Sequence, residues 1–181
     1  MNQTSDLTER TLSREEKYQG SFLSLHVDQV QLPNGRTSIR EVVEHVDGVA
    51  ILALDDRNNV LTVTQYRYVF GRPLLEIPAG KLEPGEDPVA GALRELKEET
   101  GAVPDTFLPM GVTLPSPGCL SERLYLFLAK GLHMEEQHLD EDEFLNSYFV
   151  PVEEVREMIA RGEIRDAKTI LGVQGYLLSG K

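Results

Sequence analysis

Apolar positions along this chain change their spacing several times, and each change marks an element. Phe22, Leu23, Leu25, Val27, Val30 and Leu32, then Ile39, Val42 and Val43, lie either side of Pro33-Asn34-Gly35. Strand-like runs flanking residues that accept a positive φ predict a hairpin. Residues 19–45 therefore read as a small antiparallel β unit, and 1 to about 18, polar and mixed in charge, as a loosely ordered arm. An unbroken apolar run follows at 49–54, then a turn at 55–59, a strand at 60–68 and an extended stretch at 73–78. Asp87 as N-cap and Pro88 at the first helical position predict a helix that Gly101 ends. Strands are expected at 107–114, 123–130 and 144–150. Two helices close the chain, 152–161 ended by Gly162 and 166–178 capped by Asp166. Many strands among few helices predict an α/β fold, a sandwich with a mixed sheet. The division expected is 1–45 for the arm and hairpin and 46–181 for the main domain.

Within the first helix Val89, Ala92, Leu93 and Leu96 have the spacing of one buried stripe. Glu95, Glu98 and Glu99 fall three and four residues apart, on one adjoining face. Like charges so placed repel. Alone, such a run is usually a solvated surface, but carboxylates are also the preferred ligands of Mg²⁺. The glycine-rich stretch ahead of the helix, 79–85, lets backbone approach a cation or a phosphate chain.

Charge sharpens this reading. Eighteen Lys and Arg face 30 Asp and Glu, a net charge of -12. That balance argues against a nucleic-acid binder, which needs a basic face, and raises the question of what screens the repulsion; divalent cations are one answer. Cys119 is the only cysteine, so an intrachain disulfide and a thiolate metal cluster are excluded, and His26, His45, His133 and His138 form no zinc-type pair. The polar N-terminus offers no apolar signal core, and the run at 49–54 is far too short to cross a bilayer. A cytoplasmic protein without membrane partners is expected.

The acidic helix also sits inside a longer pattern: Gly80, five residues, Glu86, seven residues, then Arg94-Glu95-Leu96-Lys97-Glu98-Glu99-Thr100-Gly101-Ala102. This resembles the box of the Nudix hydrolases, departing only at Ala102, where a larger aliphatic residue is usual. The resemblance implies a Nudix-type α/β/α sandwich. It also implies Mg²⁺, with Mn²⁺ as a substitute, held by Glu95, Glu98, Glu99 and the carbonyl of Ala79. Arg94 would orient these carboxylates, counting with Glu98 among the catalytic residues, and Glu86 would support the loop.

The flanks resemble the ADP-ribose pyrophosphatase branch of that family from about residue 18 to 178. The matching segments are Gln65-Tyr66-Arg67-Tyr68, Glu76-Ile77-Pro78-Ala79-Gly80, Ser116-Pro117-Gly118, Asp140-Glu141-Asp142-Glu143 and Asp166-Ala167-Lys168-Thr169. By this resemblance Glu141 is the general base and Glu143 a further metal ligand, a pair that a small alignment shift would exchange. Arg67 and Pro117 become substrate contacts, and Phe22 and Arg40 embrace the adenine from the other subunit of a dimer, although Phe22 also reads, slightly better, as an ordinary core residue. A homodimer that pairs its hairpins is implied too. The implied reaction is cleavage of ADP-ribose to AMP and ribose 5-phosphate. The alternatives are broader nucleoside diphosphate sugar hydrolysis (GDP-mannose or ADP-glucose) and a domain that senses ADP-ribose without cleaving it.

Overall fold

The computed structural model describes residues 6–139, 141 and 143–179. The chain divides into two compact units. One reaches to Val46 and includes Leu114–Glu122; the other comprises Asp47–Thr113 and the chain from Arg123 onward.

The small unit is a three-stranded antiparallel sheet in the order β1 (Arg10–Gln19), β2 (Leu23–Gln31), β3 (Thr37–His45). The predicted hairpin is present. Gly35 takes φ 80°, the Asn34 side chain accepts the Arg36 N–H at 3.0 Å, and the Leu32 N–H donates to the Arg36 carbonyl at 2.8 Å. The loosely ordered arm is corrected: its residues 10–18 belong to β1. Every residue of β1 is exposed, so it carries none of the alternation by which half-buried strands are recognised. Backbone pairing to β2 holds it, reinforced by Arg14, whose Nε and Nη2 fork onto Asp28 at 2.9 and 3.0 Å while Nη1 reaches Glu44 at 3.0 Å. Leu114–Glu122 joins the free edge of β3, with the Val43 N–H donating to the Cys119 carbonyl at 2.7 Å and the Ser121 N–H to the Val43 carbonyl at 3.0 Å.

The large unit is built on β4 (Gly48–Leu54), β5 (Asn59–Arg67), β6 (Arg72–Glu76), β7 (Ala79–Lys81), β8 (Ala102–Thr113), β9 (Leu124–Met134) and β10 (Leu145–Pro151), with helices α1 (Pro88–Thr100), α2 (Val152–Ala160) and α3 (Ala167–Ser179). The sheet order is β10-β5-β4-β9-β8, with β6 on β5 and β7 on β4; β4 and β9 run parallel and the other pairs antiparallel. It is the mixed sheet expected.

Strand β4 explains its own unbroken apolar run. Ala50, Leu52 and Leu54 belong to a core shared with Val155, Ile164, Val173 and Tyr176 around α2 and α3. Val49, Ile51 and Ala53 belong to a second core with Ala92 and Leu96 of α1. Successive side chains of a strand point to opposite faces, so a strand covered on both sides is apolar throughout. Each fully buried Leu or Ile contributes roughly 1.5–3 kcal/mol. This places α1 on one face and α2 and α3 on the other, an α/β/α sandwich.

Two further expectations change. Val89 is 45% exposed, so the buried stripe of α1 starts at Gly91 and Ala92. Strand β8 begins at Ala102 rather than 107, straight after the helix stop. Its Pro104 and Pro109 mimic loop signals, but β8 is the last strand of the sheet, where proline is tolerated. Ala102 itself is fully buried in the α1-side core. Among the described residues, no helix is long and apolar enough to cross a membrane.

Candidate functional site: a carboxylate cluster at the glycine loop

The first turn of α1 is fixed by Asp87, which accepts the Val89 and Ala90 N–H groups at 3.0 and 3.1 Å. Its end is fixed by Gly101, at φ 74°, whose N–H returns to the Lys97 carbonyl at 2.7 Å. Between these stops Arg94 gathers the acidic residues. Its Nε and Nη2 fork onto Glu86 at 2.9 and 3.0 Å; its Nη1 reaches Glu95 at 3.0 Å and Glu98 at 2.9 Å; its Nη2 also reaches the Lys81 carbonyl at 3.2 Å. One guanidinium thus ties the glycine loop to the helix. Hydrogen bonds from Arg94, with help from the Glu83 N–H, hold the Glu86 carboxyl down at about 2. This is the loop-supporting position expected of Glu86.

Glu95 and Glu99 point inward. Gly80 is open enough for this only because it lacks a side chain: a β-carbon there would overlap the Glu95 carboxyl group. Glu99 is only 3% exposed, and its Oε2 accepts the Ala79 N–H at 3.0 Å. Burial pushes its carboxyl up to about 8, the charges of Glu95 and Glu143 adding to the push and Lys168 opposing it. Glu95 is raised as well, first by burial, while Arg94 opposes and Glu98 and Glu143 contribute. The charge of Glu143, half-buried, thus acts on both carboxylates, whereas Glu141 is exposed. Asp140 and Asp142 lie outside the described residues.

Among the described residues, no three acidic, His or Cys side chains already converge on one point at ligating distance. Glu95 and Glu98 turn to Arg94, and Glu99 to the Ala79 N–H. The donor set nevertheless fits a hard divalent cation: desolvated carboxylates that repel one another, beside a glycine that admits them to the backbone. The groups that could hold it are Glu95, Glu98, Glu99, Glu143 and the Ala79 carbonyl.

A second cluster adjoins the first. Arg67 forks through Nε and Nη2 onto Glu76 at 2.8 and 2.7 Å, and Lys168 Nζ also contacts Glu76 while sitting 3.0 Å from Asp166. Burial raises the Glu76 carboxyl, but Arg67 and Lys168 outweigh this and hold it below the usual range. The Thr169 N–H and hydroxyl donate to Asp166 at 3.0 and 2.6 Å, and the Thr169 hydroxyl oxygen accepts the Ile77 N–H at 2.9 Å. The sequence marks Glu76 and Lys168 as parts of matching segments without giving either a task. Their pairing spans 92 residues of chain and has no local signal.

The remaining candidates lie in the small unit. Phe22 is not a core residue: it is 45% exposed and meets His45 edge-on, with ring centroids 5.4 Å apart. It lines a cavity of about 250 Å³ with Gln19, Gly20, Ser24, Glu44 and His45. Arg40 pairs with Glu9 through Nε at 2.9 Å. Pro117 is exposed in the Ser116–Gly118 turn.

Comparison with known proteins places the chain among its relatives. Residues 44–171 match the NUDIX domain, and residues 9–43 match the nucleoside diphosphate sugar hydrolase N-terminal domain. The chain is 41% identical over 170 residues to an "ADP-ribose pyrophosphatase" of Bacillus subtilis (strain 168), covering 93% of this chain and 92% of that one. It is 42% identical over 168 residues to a "Methanol dehydrogenase activator" of Bacillus methanolicus, covering 92% and 91%. A solved structure described as an "ADP compounds hydrolase" has the same fold, with a TM-score of 0.85 over 98% of both chains at 20% identity. With its box intact from Gly80 to Gly101, the chain belongs to the Nudix hydrolase family and carries the N-terminal domain of nucleoside diphosphate sugar hydrolases before its Nudix domain.

Proposed function

We propose that this enzyme hydrolyses the pyrophosphate bond of ADP-ribose, with Mg²⁺ as cofactor and Mn²⁺ as a substitute, giving AMP and ribose 5-phosphate. The observation that carries the reading is Glu99, a carboxylate 3% exposed on which the charges of Glu95 and Glu143 act. Such a group is costly to keep charged without a cation. When bound, Mg²⁺ neutralises the diphosphate and lowers the pKa of an attacking water.

The protein supplies the remaining parts. Arg94 sets Glu95 and Glu98 against the loop, and the Ala79 N–H sets Glu99. Water oxygen bonds to one phosphorus while the bridging oxygen leaves with the other, and the water's proton passes to a carboxylate base. Glu141, exposed on the segment before β10, takes that role; Glu143, whose charge reaches Glu95 and Glu99, serves as a ligand. A base on such a segment can close after substrate has bound. Arg67 meets the nucleoside or diphosphate end, since a guanidinium forks onto phosphate oxygens. The partner subunit's Phe22 and Arg40 embrace the adenine across the dimer, and Pro117 is a further substrate contact. The enzyme acts in the cytoplasm as a homodimer that pairs its small units, a motive for which is the marginal stability of a small isolated sheet. Light scattering giving a monomer at micromolar concentration would contradict the pairing.

The match of residues 9–43 to a domain named for nucleoside diphosphate sugar hydrolases supports a second reading, a broader enzyme that also takes GDP-mannose or ADP-glucose. Sensing without cleavage is disfavoured, because Glu95, Glu98 and Glu99 are all present. A turnover screen with Mg²⁺ over ADP-ribose, GDP-mannose, ADP-glucose and nucleoside triphosphates tests these readings. ADP-ribose is expected to give the highest kcat/KM; a large preference for triphosphates would reject the assignment.

A further inference from the structure

Glu76 stands outside the metal-type cluster, yet it is 1% exposed and receives three donors on its two oxygens. Oε1 accepts from Arg67 Nε, and Oε2 from both Arg67 Nη2 and Lys168 Nζ. A buried carboxylate between two cations rarely stabilises a fold more than apolar residues of the same volume would. Stability alone therefore gives a poor account of the arrangement. Its geometric effect is clear: the fork through Nε and Nη2 fixes the plane of the Arg67 guanidinium and leaves the Nη1 edge unused by Glu76. Arg67 itself is 37% exposed, and the charge of Glu99 also acts on it, so the fixed guanidinium borders the carboxylate cluster. The far side of the clamp is rigid too. Lys168 is braced by Asp166 in the first turn of α3, and Thr169 holds the backbone of Ile77, the next residue after Glu76.

We propose that Glu76 and Lys168 are positioning residues, which hold the Arg67 guanidinium in the orientation that receives the anionic diphosphate of the substrate. The inference rests on the reading of Arg67 as a substrate contact. A guanidinium oriented before the substrate arrives loses less freedom on binding, so the clamp acts on substrate affinity rather than on the chemical step.

The test is a kinetic double-mutant cycle with ADP-ribose and Mg²⁺ over wild type, Glu76→Gln, Arg67→Ala and the double variant. Glu76→Gln is expected to raise KM about tenfold with kcat within about threefold, the signature of lost uniform binding. The double variant is expected to match Arg67→Ala alone, because a positioning residue has nothing left to position. Additive losses, or a fall in kcat at unchanged KM, would overturn the proposal. Lys168→Met is expected to raise KM in the same direction and Lys168→Arg to restore it; wild-type KM in Lys168→Met would overturn it as well. If Glu76→Gln fails to fold, the two Lys168 variants decide alone. Should the wild type leave ADP-ribose intact, the functional reading fails by itself. The cycle is then read as Kd for ADP-ribose by calorimetry, with the same non-additivity expected and additivity again overturning the proposal.

Discussion

Gly80 and Glu95 occupy each other's space: a β-carbon on Gly80 would overlap the Glu95 carboxyl group, so the acidic side chain reaches the loop only where the loop has no side chain. Gly80→Ala must displace Glu95 or the loop. Overpacking of this kind costs about 1–3 kcal/mol, and a displaced ligand costs far more in rate than in stability. Gly80→Ala is expected to lose at least about a hundredfold in kcat, the scale seen when a small misplacement disturbs a reacting geometry, while remaining folded by circular dichroism. A rate close to wild type would show that Glu95 does not need the position described.

Glu86 separates support from ligation. Arg94 and the Glu83 N–H hold its carboxyl at about 2, below the usual 4.5. The folded state thus releases this proton more readily than the unfolded one. The stabilisation is present above pH 4.5 and is lost as pH falls toward 2. Glu86→Gln is expected to lose less stability than wild type over that interval in acid-unfolding curves. Its Mn²⁺ affinity, read by electron paramagnetic resonance, is expected to stay within about threefold of wild type, since ligand mutations in metal sites cost far more. A loss of affinity of several tens of times would make Glu86 a ligand.

Arg14 holds β1 to the small sheet. Removing it leaves Asp28, which is 5% exposed, without its fork. An unpaired buried acceptor costs about 1–3 kcal/mol. Arg14→Ala is expected to lower the melting temperature modestly and to speed amide exchange in Arg10–Gln19 and β2 while leaving β4 and β9 protected. Unchanged exchange in β1 would show that backbone pairing alone suffices.

Most of the large unit was legible because its signals are local. Asp87-Pro88 and Gly101 bound α1, and the unbroken apolar run at 49–54 marked β4; in the small unit Pro33-Asn34-Gly35 announced the hairpin. The box placed Arg94, Glu95, Glu98 and Glu99 together before any geometry was known. What escaped depends on partners distant in sequence. Strand β1 is exposed throughout and is recognised only by its register against β2. Pro104 hid the start of β8 because its tolerance depends on β8 being an edge. Val89 fits the helical stripe by spacing, yet it sits one turn before the sheet begins to cover α1. The Glu76–Lys168 contact joins β6 to α3, and neither residue carries a pattern pointing to the other. Phe22 looked like any strand aromatic; only the surrounding chain shows it half-open beside His45.

Glu99, buried against Ala79 beside Glu95, is expected to hold a divalent cation against a diphosphate. Steady-state hydrolysis of ADP-ribose with Mg²⁺ by wild type and Glu99→Gln, both shown folded by thermal melting, tests it most directly. The expected result is a fall in kcat of several orders of magnitude, each factor of ten being about 1.4 kcal/mol of lost transition-state stabilisation. A Glu99→Gln enzyme that turns over ADP-ribose at the wild-type rate would contradict it.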